Sequence, residues 1–411
     1  MSQPEQTTAA LVILPAANTY PAGFDPLTLR IYGLTLFERT LKALERGGCD
    51  QILILTPRPV AEVKQWLEIR KDWEAKIELQ QVENPGVVQS QALKSLVQRV
   101  SEGVVLVREP MVFDQKLIPW LKAQTAQPAA VANGLLNFLP KEKAEEANRE
   151  ITVQEYPCEF LLCHTVKSRA DKNKVKKLLR QSLIKPTDGW VSRHLNRPVS
   201  ISFSRVLAHT PITPNQFTLF TGLLGILTAY LLSRGPYWGF MLGAFLFHFT
   251  SILDGVDGEL ARLKFKASPF GQWLDTLVDN SSYVLALIGY LIGLYNDGVT
   301  TFEKWAGIST LVFTALALGS MYYYLRRFDK GGSLLNIDYS YRKGTRWSDK
   351  LLRFLAPLGK RDLFALIFFL LGLTGQLHLA LVFISVLTAI LFGLSIQAHL
   401  DTARQLRSEG K

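Results

Sequence analysis

Apolar positions follow two different patterns along this chain of 411 residues. Up to about residue 165, short apolar runs alternate with segments whose apolar residues recur at helical spacing. This alternation predicts an α/β domain with a mainly parallel sheet over residues 1–165. The predicted strands are 10–14, 51–56, 77–82, 104–107, 129–132 and 159–163, and the predicted helices are 34–46, 60–71, 88–100 and 115–124.

From about residue 211 onward, long apolar segments dominate the sequence. Most of them reach the roughly 20 residues that a helix needs to cross a bilayer, although the fifth is shorter. The pattern predicts an all-α domain of six transmembrane helices over residues 211–411, joined to the α/β domain by a basic linker with interfacial helices at 166–210. The predicted spans are 214–233, 237–262, 270–295, 305–325, 363–376 and 379–400.

Basic residues flank these segments on one side. Residues 167–205 hold eleven Lys or Arg and two acids, and residues 326–361 hold ten and three. The loops 234–236 and 296–304 on the other side carry few positive charges. By the positive-inside rule, both termini and the opening of any site near residue 262 face the cytoplasm. The net charge of +11 therefore reflects membrane topology, and no nucleic-acid recognition fold accompanies it.

Four carboxylates lie inside the second and third apolar segments, where hydrocarbon makes an acidic side chain costly. Asp254 and Asp257 share one face of the second segment, and Asp275 and Asp279 share one face of the third. A turn near 267–269 would bring the two faces together. Hard divalent cations such as Mg²⁺ prefer oxygen ligands, so the spacing predicts a cation site.

Small and basic residues accompany these acids. Gly258, Ala261 and Gly271 leave room for a bulky group against the helix backbone, and Arg262 suits bidentate contact with a phosphate. Two polar transmembrane helices packed through small residues would be the structural alternative. That alternative is disfavoured because Arg262 cannot neutralise so many acids.

The run from Asp254 to Asp279 resembles the signature of the CDP-alcohol phosphotransferase family, D-x2-D-G-x2-A-R-x8-G-x3-D-x3-D, and matches every fixed position. The resemblance implies that Asp254, Asp257 and Asp275 bind one or two Mg²⁺ or Mn²⁺ ions. It implies that Asp279 is the catalytic base and also contacts metal. The residues implied to line the cytidine diphosphate site are Gly258, Ala261, Arg262 and Gly271.

The start of the chain resembles a second family. Segments 11–17 (LVILPAA) and 31–41 (IYGLTLFERTL) are similar to sugar-phosphate nucleotidyltransferases. They are most similar to the inositol-phosphate cytidylyltransferase domains that are fused to some CDP-alcohol phosphotransferases. The resemblance implies a Rossmann-like nucleotidyltransferase fold for residues 1–165.

The residues that this second family uses for chemistry are not found here. Its glycine-rich loop carries an arginine and then a lysine, whereas loop 16–27 has only Gly23, and no Arg or Lys precedes Arg30. Where the family places a metal-binding aspartate after a strand, this chain has Arg108 and Glu109. A phosphate cradle needs exposed backbone N–H groups and a counter-charge. The domain is therefore predicted to be degenerate and to transfer no cytidylyl group.

Two further segments lead to the predicted site. Arg169–Leu183 forms a basic amphipathic pattern, which fits a helix on a membrane surface or a solvated linker helix. Thr213 and Pro214 suit the cap and first turn of the first span. Asn215 belongs to a Pro-Asn pair that resembles one near the nucleotide in the family, so it is a candidate CDP contact or a structural helix start.

The basic loop 326–361 is the candidate acceptor site. If the acceptor carries a phosphate, some of its arginines and lysines would bind it. The alternative is that they only set the topology. The candidates are Arg326, Arg327, Lys360 and Arg361, and Arg342, Lys343 and Arg346 belong to the same loop.

The sequence thus predicts an integral membrane transferase that moves a substituted phosphoryl group from a CDP-alcohol to an alcohol or phosphorylated polyol and releases CMP. CDP-diacylglycerol would give a phospholipid, and a CDP-inositol-like donor would give a polar phosphodiester. The alternatives are a bifunctional enzyme with an active cytidylyltransferase domain and an ion-coupled transporter. The family resemblance also implies a homodimer.

Overall fold

The computed structural model describes residues 7–70, 72–123, 128–142, 154–156, 162–328, 337, 339, 347–355 and 360–408. The chain divides into two compact units. They are Met1–Leu183 with Leu263–Phe265, and Ile184–Arg262 with Lys266–Lys411.

A seven-stranded sheet forms the centre of the first unit. Its strands are β1 (Thr8–Ile13), β4 (Gln51–Thr56), β5 (Lys76–Gln81), β6 (Gly103–Val107), β8 (Ala129–Val131), β9 (Leu136–Pro140) and β10 (Gln154–Glu155). They follow the order β10-β8-β9-β6-β1-β4-β5. Strands β5, β4, β1 and β6 run parallel, and β9 runs antiparallel to both β6 and β8. The predicted α/β architecture is confirmed.

Helices cover both faces of this sheet. They are α1 (Leu36–Arg46), α2 (Val60–Glu68), α3 (Pro85–Val97) and α4 (Leu117–Ala123). Side chains alternate along β1, so Ala10 and Val12 enter the core that contains α1 and α4, whereas Ala9 and Leu11 enter the core that contains α3. Helix α1 begins at Leu36, two residues after the predicted start, because Thr35 caps it in a capping box with Glu38.

Several short strands were not predicted from the sequence. Two small antiparallel ladders pair β2 (Arg30–Ile31) with β3 (Leu34–Thr35), and β7 (Met111–Phe113) with β11 (Cys163–Thr165). The predicted strand 159–163 falls largely on residues 157–161, which lie outside the described residues. Strand β9 was not predicted, because it contains Asn137 and ends at Pro140, which are uncommon in strands.

Helix α5 (Arg169–Leu183) closes the first unit. Its apolar positions Val175, Leu179 and Leu183 are buried in the protein, and the Lys176 carbonyl accepts a hydrogen bond from Tyr32. The interpretations of this segment as a helix on a membrane surface or as a solvated linker helix stay predictions for its polar face. The stripe is amphipathic because it packs on the α/β domain.

The second unit is helical throughout its described part. Its helices are α6 (Arg197–Leu207), α7 (Pro214–Ser233), α8 (Pro236–Leu263), α9 (Pro269–Asp297), α10 (Thr301–Arg327), α11 (Trp347–Leu355), α12 (Arg361–Leu373) and α13 (His378–Ser408). A π-helical turn, Ser192–Asn196, precedes α6. Five of these helices, α7 to α10 and α13, are long and apolar enough to cross a membrane.

Helix α12 corresponds to the predicted fifth span but has only 13 residues. At 1.5 Å per residue it covers roughly 20 Å, less than the roughly 30 Å of a hydrocarbon core. The structure therefore supports an integral membrane protein with five long apolar helices, and a sixth crossing stays a prediction.

Helices α7 and α9 pack against each other through glycines. A Cβ atom at Gly289 would collide with the Ala229 carbonyl, and one at Gly293 would collide with the Leu232 carbonyl. Close backbone approach at small residues is a common way for membrane helices to associate. This contact holds α9, which carries two of the aspartates, against α7.

Candidate active site

The four aspartates converge where α8 ends and α9 begins. One carboxylate oxygen each from Asp254, Asp275 and Asp279 lies within 4.8 Å of the others. Each of these side chains is partly buried. The fourth, Asp257, is 8% exposed and lies beside Asp275. The helix hairpin predicted from the spacing thus brings both acidic faces together.

A third helix orients Asp257. The Thr218 hydroxyl of α7 donates a 2.6 Å hydrogen bond to Asp257 Oδ2, and the Gly258 N–H donates one of 2.5 Å to Oδ1. Helix α7 reaches this position because Thr213 and Gln216 form a capping box around Pro214. Hydrogen bonds from Thr218 and Gly258 therefore orient both oxygens of Asp257.

Arg361 lies inside the aspartate cluster. Its Nη1 is 2.7 Å from Asp254 Oδ1 and 3.0 Å from Asp279 Oδ1, and its guanidinium lies over the Tyr283 ring at 4.8 Å. Sequence analysis assigned this residue to the acceptor loop, but it contacts the acids at the start of α12. The cluster therefore holds more acidic side chains than the Arg361 guanidinium, which pairs with Asp254 and Asp279, can neutralise.

This donor set suits a hard divalent cation. Mg²⁺ and Mn²⁺ take carboxylate oxygens, and Asp254, Asp275 and Asp279 offer three at close spacing, with Asp257 next to them. Repulsion among so many acids is relieved by bound positive charge. The residues present therefore fit the ion that the signature implies.

The residues predicted to contact nucleotide surround the same helix ends. A Cβ atom at Gly258 would meet open space, whereas one at Gly271 would lie 3.0 Å from Asn215 Oδ1. Asn215, at the start of α7, thus faces Gly271 on α9. Ala261 is half-buried and Arg262 is exposed in the last turn of α8. Room for a bulky group therefore exists beside Gly258.

The other acceptor candidates do not join the cluster. Arg326 and Arg327 are exposed in the last turn of α10. Lys360 Nζ donates to the Thr187 carbonyl at 3.2 Å. Arg342, Lys343 and Arg346 lie outside the described residues.

A buried polar network, which was not predicted from the sequence, lies next to the aspartates. Glu259 is fully buried, and its carboxylate accepts hydrogen bonds from Arg197 Nη1 at 2.6 Å, Ser200 Oγ at 2.8 Å and Ser204 Oγ at 2.6 Å. Arg197 also forms a bidentate pair with Asp188 at 2.8 and 2.9 Å. The helical spacing of Arg197, Ser200 and Ser204 was the signal that could have revealed it.

This network affects the charge state of Asp188, which lies before the first span. Burial alone would raise the pKa of Asp188, but hydrogen bonds from Arg197 and from the Lys185 N–H lower it below its ordinary value. Asp188 therefore stays ionised and keeps Arg197 in place.

A second contact holds the same segment. The Asp362 carboxylate accepts a 2.8 Å hydrogen bond from the Ser192 N–H at the start of the π-helical turn. Because Lys360 binds the Thr187 carbonyl, the residues on both sides of Arg361 hold segment 187–192. The start of α12 thus contacts the juxtamembrane segment and the aspartates at once.

In the α/β domain, side chains pair with one another at the ends of β1, β4 and β6, where the resemblance to nucleotidyltransferases implies a phosphate-binding loop. After β4, Arg58 donates to Asp25 Oδ2 at 2.8 Å and to the Pro15 carbonyl at 2.8 Å. After β6, Glu109 pairs with Lys167 at 2.8 Å. Burial, together with the nearby Glu109, raises the pKa of the Tyr20 phenol well above its ordinary value. The loop after β1 is held by internal pairs.

One protein-family model and several curated proteins match parts of this chain. The CDP-alcohol phosphatidyltransferase family model matches residues 211–391. A bifunctional IPC transferase and DIPP synthase of Aquifex aeolicus is 35% identical over 225 residues, covering 54% of this chain and 47% of that protein. Its Thermococcus kodakarensis counterpart is 40% identical over 120 residues, covering 28% and 27%. The chain thus aligns with less than half the length of these curated relatives.

Other similar proteins cover smaller parts of the chain. The archaetidylinositol phosphate synthase of Pyrococcus horikoshii is 38% identical over 93 residues, 22% of this chain and 46% of that protein. Among solved structures, HddC from Yersinia pseudotuberculosis covers 42% of this chain and 99% of its own, with 8% identity and a TM-score of 0.35. The matched range contains both helices of the aspartate hairpin, so residues 211–391 form a CDP-alcohol phosphatidyltransferase domain.

Proposed function

We propose that this protein transfers a substituted phosphoryl group from a CDP-alcohol to an alcohol acceptor and releases CMP. The observation that carries the proposal is the convergence of Asp254, Asp257, Asp275 and Asp279 at one end of two helices within the matched family region. A cluster with this excess of acids is costly inside a membrane domain unless it binds a cation.

The residues divide the chemistry as follows. Asp254, Asp257 and Asp275 would hold a divalent ion, Mg²⁺ or Mn²⁺, which supplies positive charge beside a pyrophosphate. The acceptor oxygen attacks the phosphorus that carries the alcohol group, and the bond from that phosphorus to CMP breaks. CMP leaves with the bonding electrons. Asp279 takes the proton of the attacking hydroxyl.

The neighbouring groups position the donor. Gly258 and Ala261 leave space for the cytidine diphosphate, and Asn215 and Gly271 form its opposite wall. Exposed Arg262 would contact the diphosphate. Arg361, which lies between Asp254 and Asp279, would contact an acceptor phosphate.

Topology and assembly complete the proposal. Six crossings, with both termini and the aspartate cluster on the cytoplasmic side, follow from the basic residues that flank the helices. A homodimer is part of the proposal because the family resemblance implies it, and the donor is either a lipid or a polar CDP-alcohol. One or two ions are proposed, because the four aspartates offer enough carboxylate ligands for either number.

The α/β domain is proposed to have lost cytidylyl transfer. The loop that would cradle phosphates is occupied by the Asp25–Arg58 pair and the buried Tyr20 phenol. The bifunctional alternative is favoured by the names of the relatives from Aquifex aeolicus and Thermococcus kodakarensis.

The transfer reaction is tested by CMP release from purified full-length protein with Mg²⁺, a CDP-alcohol panel and polyol acceptors. Asp279→Asn should lower turnover by about 10²- to 10⁴-fold, the range for loss of a general base. Donor binding should survive in this variant. Asp297→Asn, at the other end of α9, is the matched control and should keep its activity. Full activity of Asp279→Asn would contradict the assignment of Asp279 as the base. If the parent protein released no CMP from any donor, the proposed reaction would be wrong.

The two versions of the α/β domain are separated with the same preparation. Incubation with CTP, Mg²⁺ and inositol or sugar phosphates should give no pyrophosphate, because the loop after β1 lacks a phosphate cradle. A positive signal that survives Asp279→Asn would establish the bifunctional enzyme instead.

A further inference from the structure

Residues 187–192, which we call the strap, lie against the start of α12. The Ser192 N–H donates a 2.8 Å hydrogen bond to Asp362 Oδ2, and Lys360 Nζ donates one of 3.2 Å to the Thr187 carbonyl. These two contacts involve the first and the last residue of the strap. Both ends of the strap are therefore bound to the start of α12.

Gly189, near the middle of the strap, packs directly on the same two side chains. A Cβ atom there would lie 2.8 Å from Asp362 Oδ2 and 3.3 Å from Lys360 Cδ, closer than side chains normally approach. The φ angle of Gly189 is not positive, so backbone strain is not the reason for a glycine at this position. The strap fits against α12 because residue 189 has no side chain.

The strap is also bound to α8. Asp188 forms its bidentate pair with Arg197 at 2.8 and 2.9 Å, and Arg197 Nη1 donates to Glu259 of α8 at 2.6 Å. Because Arg197 and Glu259 are buried, water does not compete strongly for these hydrogen bonds. The strap thus joins the helix that carries two of the aspartates to the start of α12.

Arg361 lies between the two residues that bind the strap, and it contacts a different group. Its Nη1 is 2.7 Å from Asp254 Oδ1 and 3.0 Å from Asp279 Oδ1, whereas its Nε is buried without a hydrogen-bond partner among the described residues. Holding an arginine side chain in one position costs roughly 2 kcal/mol of rotamer entropy. Contacts that fix the backbone on both sides of Arg361 limit the positions that its guanidinium can reach.

We propose that the strap positions Arg361 against the aspartates, so that Gly189 and Asp362 are positioning residues for the transfer reaction. The inference rests on the proposed function, in which Asp279 accepts the proton of the attacking hydroxyl and Arg361 contacts an acceptor phosphate. Both roles require Arg361 and Asp279 to keep their present distance. A misplacement of about 1 Å at a catalytic site can lower a rate roughly 10²-fold.

Gly189→Ala tests the proposal with one methyl group. The added Cβ should displace Asp362 from the Ser192 N–H and lower kcat/KM for the acceptor about tenfold or more. KM for the CDP-alcohol should stay unchanged, because the proposed donor site does not include the strap. Gly319→Ala on α10 is the matched control, since a Cβ atom there meets open space. CMP release by the full-length protein in detergent with Mg²⁺ measures both variants.

Ion binding gives a readout that needs no turnover. The Arg361 guanidinium places positive charge beside the acids that would hold a divalent ion, so Arg361→Ala should tighten Mn²⁺ binding about tenfold or more. Gly189→Ala should tighten it about threefold, because it releases Arg361 without changing a charge. In the Arg361→Ala background, Gly189→Ala should add nothing. Electron paramagnetic resonance of free Mn²⁺ measures the affinities.

A second pair of variants serves in both assays if Gly189→Ala does not fold. Asp362→Ala and Asp362→Asn remove the same charge, but only Asp362→Asn keeps a carbonyl acceptor for the Ser192 N–H. Asp362→Ala should therefore have lower activity and bind Mn²⁺ more tightly than Asp362→Asn.

Unchanged activity and unchanged Mn²⁺ affinity in Gly189→Ala would overturn the proposal, as would effects that add to those of Arg361→Ala. The expected pattern of Mn²⁺ affinities without CMP release from the parent would keep the positioning role and reject the reaction. CMP release by the parent, with Mn²⁺ binding weakened or unchanged in Gly189→Ala, would keep the reaction and reject the positioning role.

Discussion

Two carboxylate sites lie two residues apart on α8, and they are built in opposite ways. Asp257 belongs to a group of four acids, two of which, Asp254 and Asp279, pair with Arg361. Glu259 has hydrogen-bond donors on both of its oxygens. At 100° per residue the two side chains leave opposite faces of the helix. Both sites contain a buried acid, so burial alone does not identify the functional site. The excess of acidic over basic side chains identifies the aspartate cluster as the functional site.

The largest effect is expected from Asp275→Asn. CMP release should fall below detection because an ion ligand is lost, and the rise in Tm that Mg²⁺ produces in the parent should disappear. In EDTA, however, this variant should be more stable than the parent by about 0.5–2 kcal/mol, since it relieves repulsion at a functional site. Thermal unfolding in detergent with and without Mg²⁺ measures both.

The comparison would fail if Asp275→Asn lowered stability in EDTA. Such a result would mean that the aspartates, like Glu259, support the fold. Asp297→Asn again serves as the control, because it removes an acid from α9 far from the cluster.

Glu259→Leu should have the opposite signature, with a smaller effect on activity. It leaves Arg197 and two serines buried without their acceptor, so it should lower the free energy of unfolding by about 3–5 kcal/mol. Glu259→Gln should cost less because it keeps an acceptor. Unfolding in mixed SDS micelles measures both variants.

If Glu259→Leu kept its stability but lost Mg²⁺-dependent stabilisation, Glu259 would belong to the ion site. The distinction between a matched and a surplus carboxylate would then be wrong for α8.

Much of this arrangement could be predicted from sequence because it depends on local spacing. Helical periodicity gave the hairpin of α8 and α9, and the cap at Thr213 gave the start of α7 to the residue. Runs of apolar residues gave the long helices to within a few positions. The α/β alternation gave the central strands, since buried parallel strands are continuous apolar runs.

The rest depends on contacts between distant segments. Arg361 is 82 residues from Asp279 along the chain, and neither residue has a local pattern that reveals the pair. Arg197 and Glu259 are joined in the same way across 62 residues. Strand β9 was missed because Asn137 and Pro140 interrupt its short apolar run. The apolar stripe of α5 left a membrane-surface helix and a linker helix open, because amphipathicity alone does not specify which apolar surface covers it.

The start of α12 also determines where the chain can be engineered. Three successive residues there contact different partners: Lys360, Arg361 and Asp362. Within the next two turns, Phe364 and Phe368 pack into the helical core. One residue inserted after Asp362 would rotate both phenylalanines by about 100° relative to those three contacts. Tags or fluorescent reporters therefore belong well before Lys360, and α12 itself offers no neutral insertion point between its charged start and its aromatic turns.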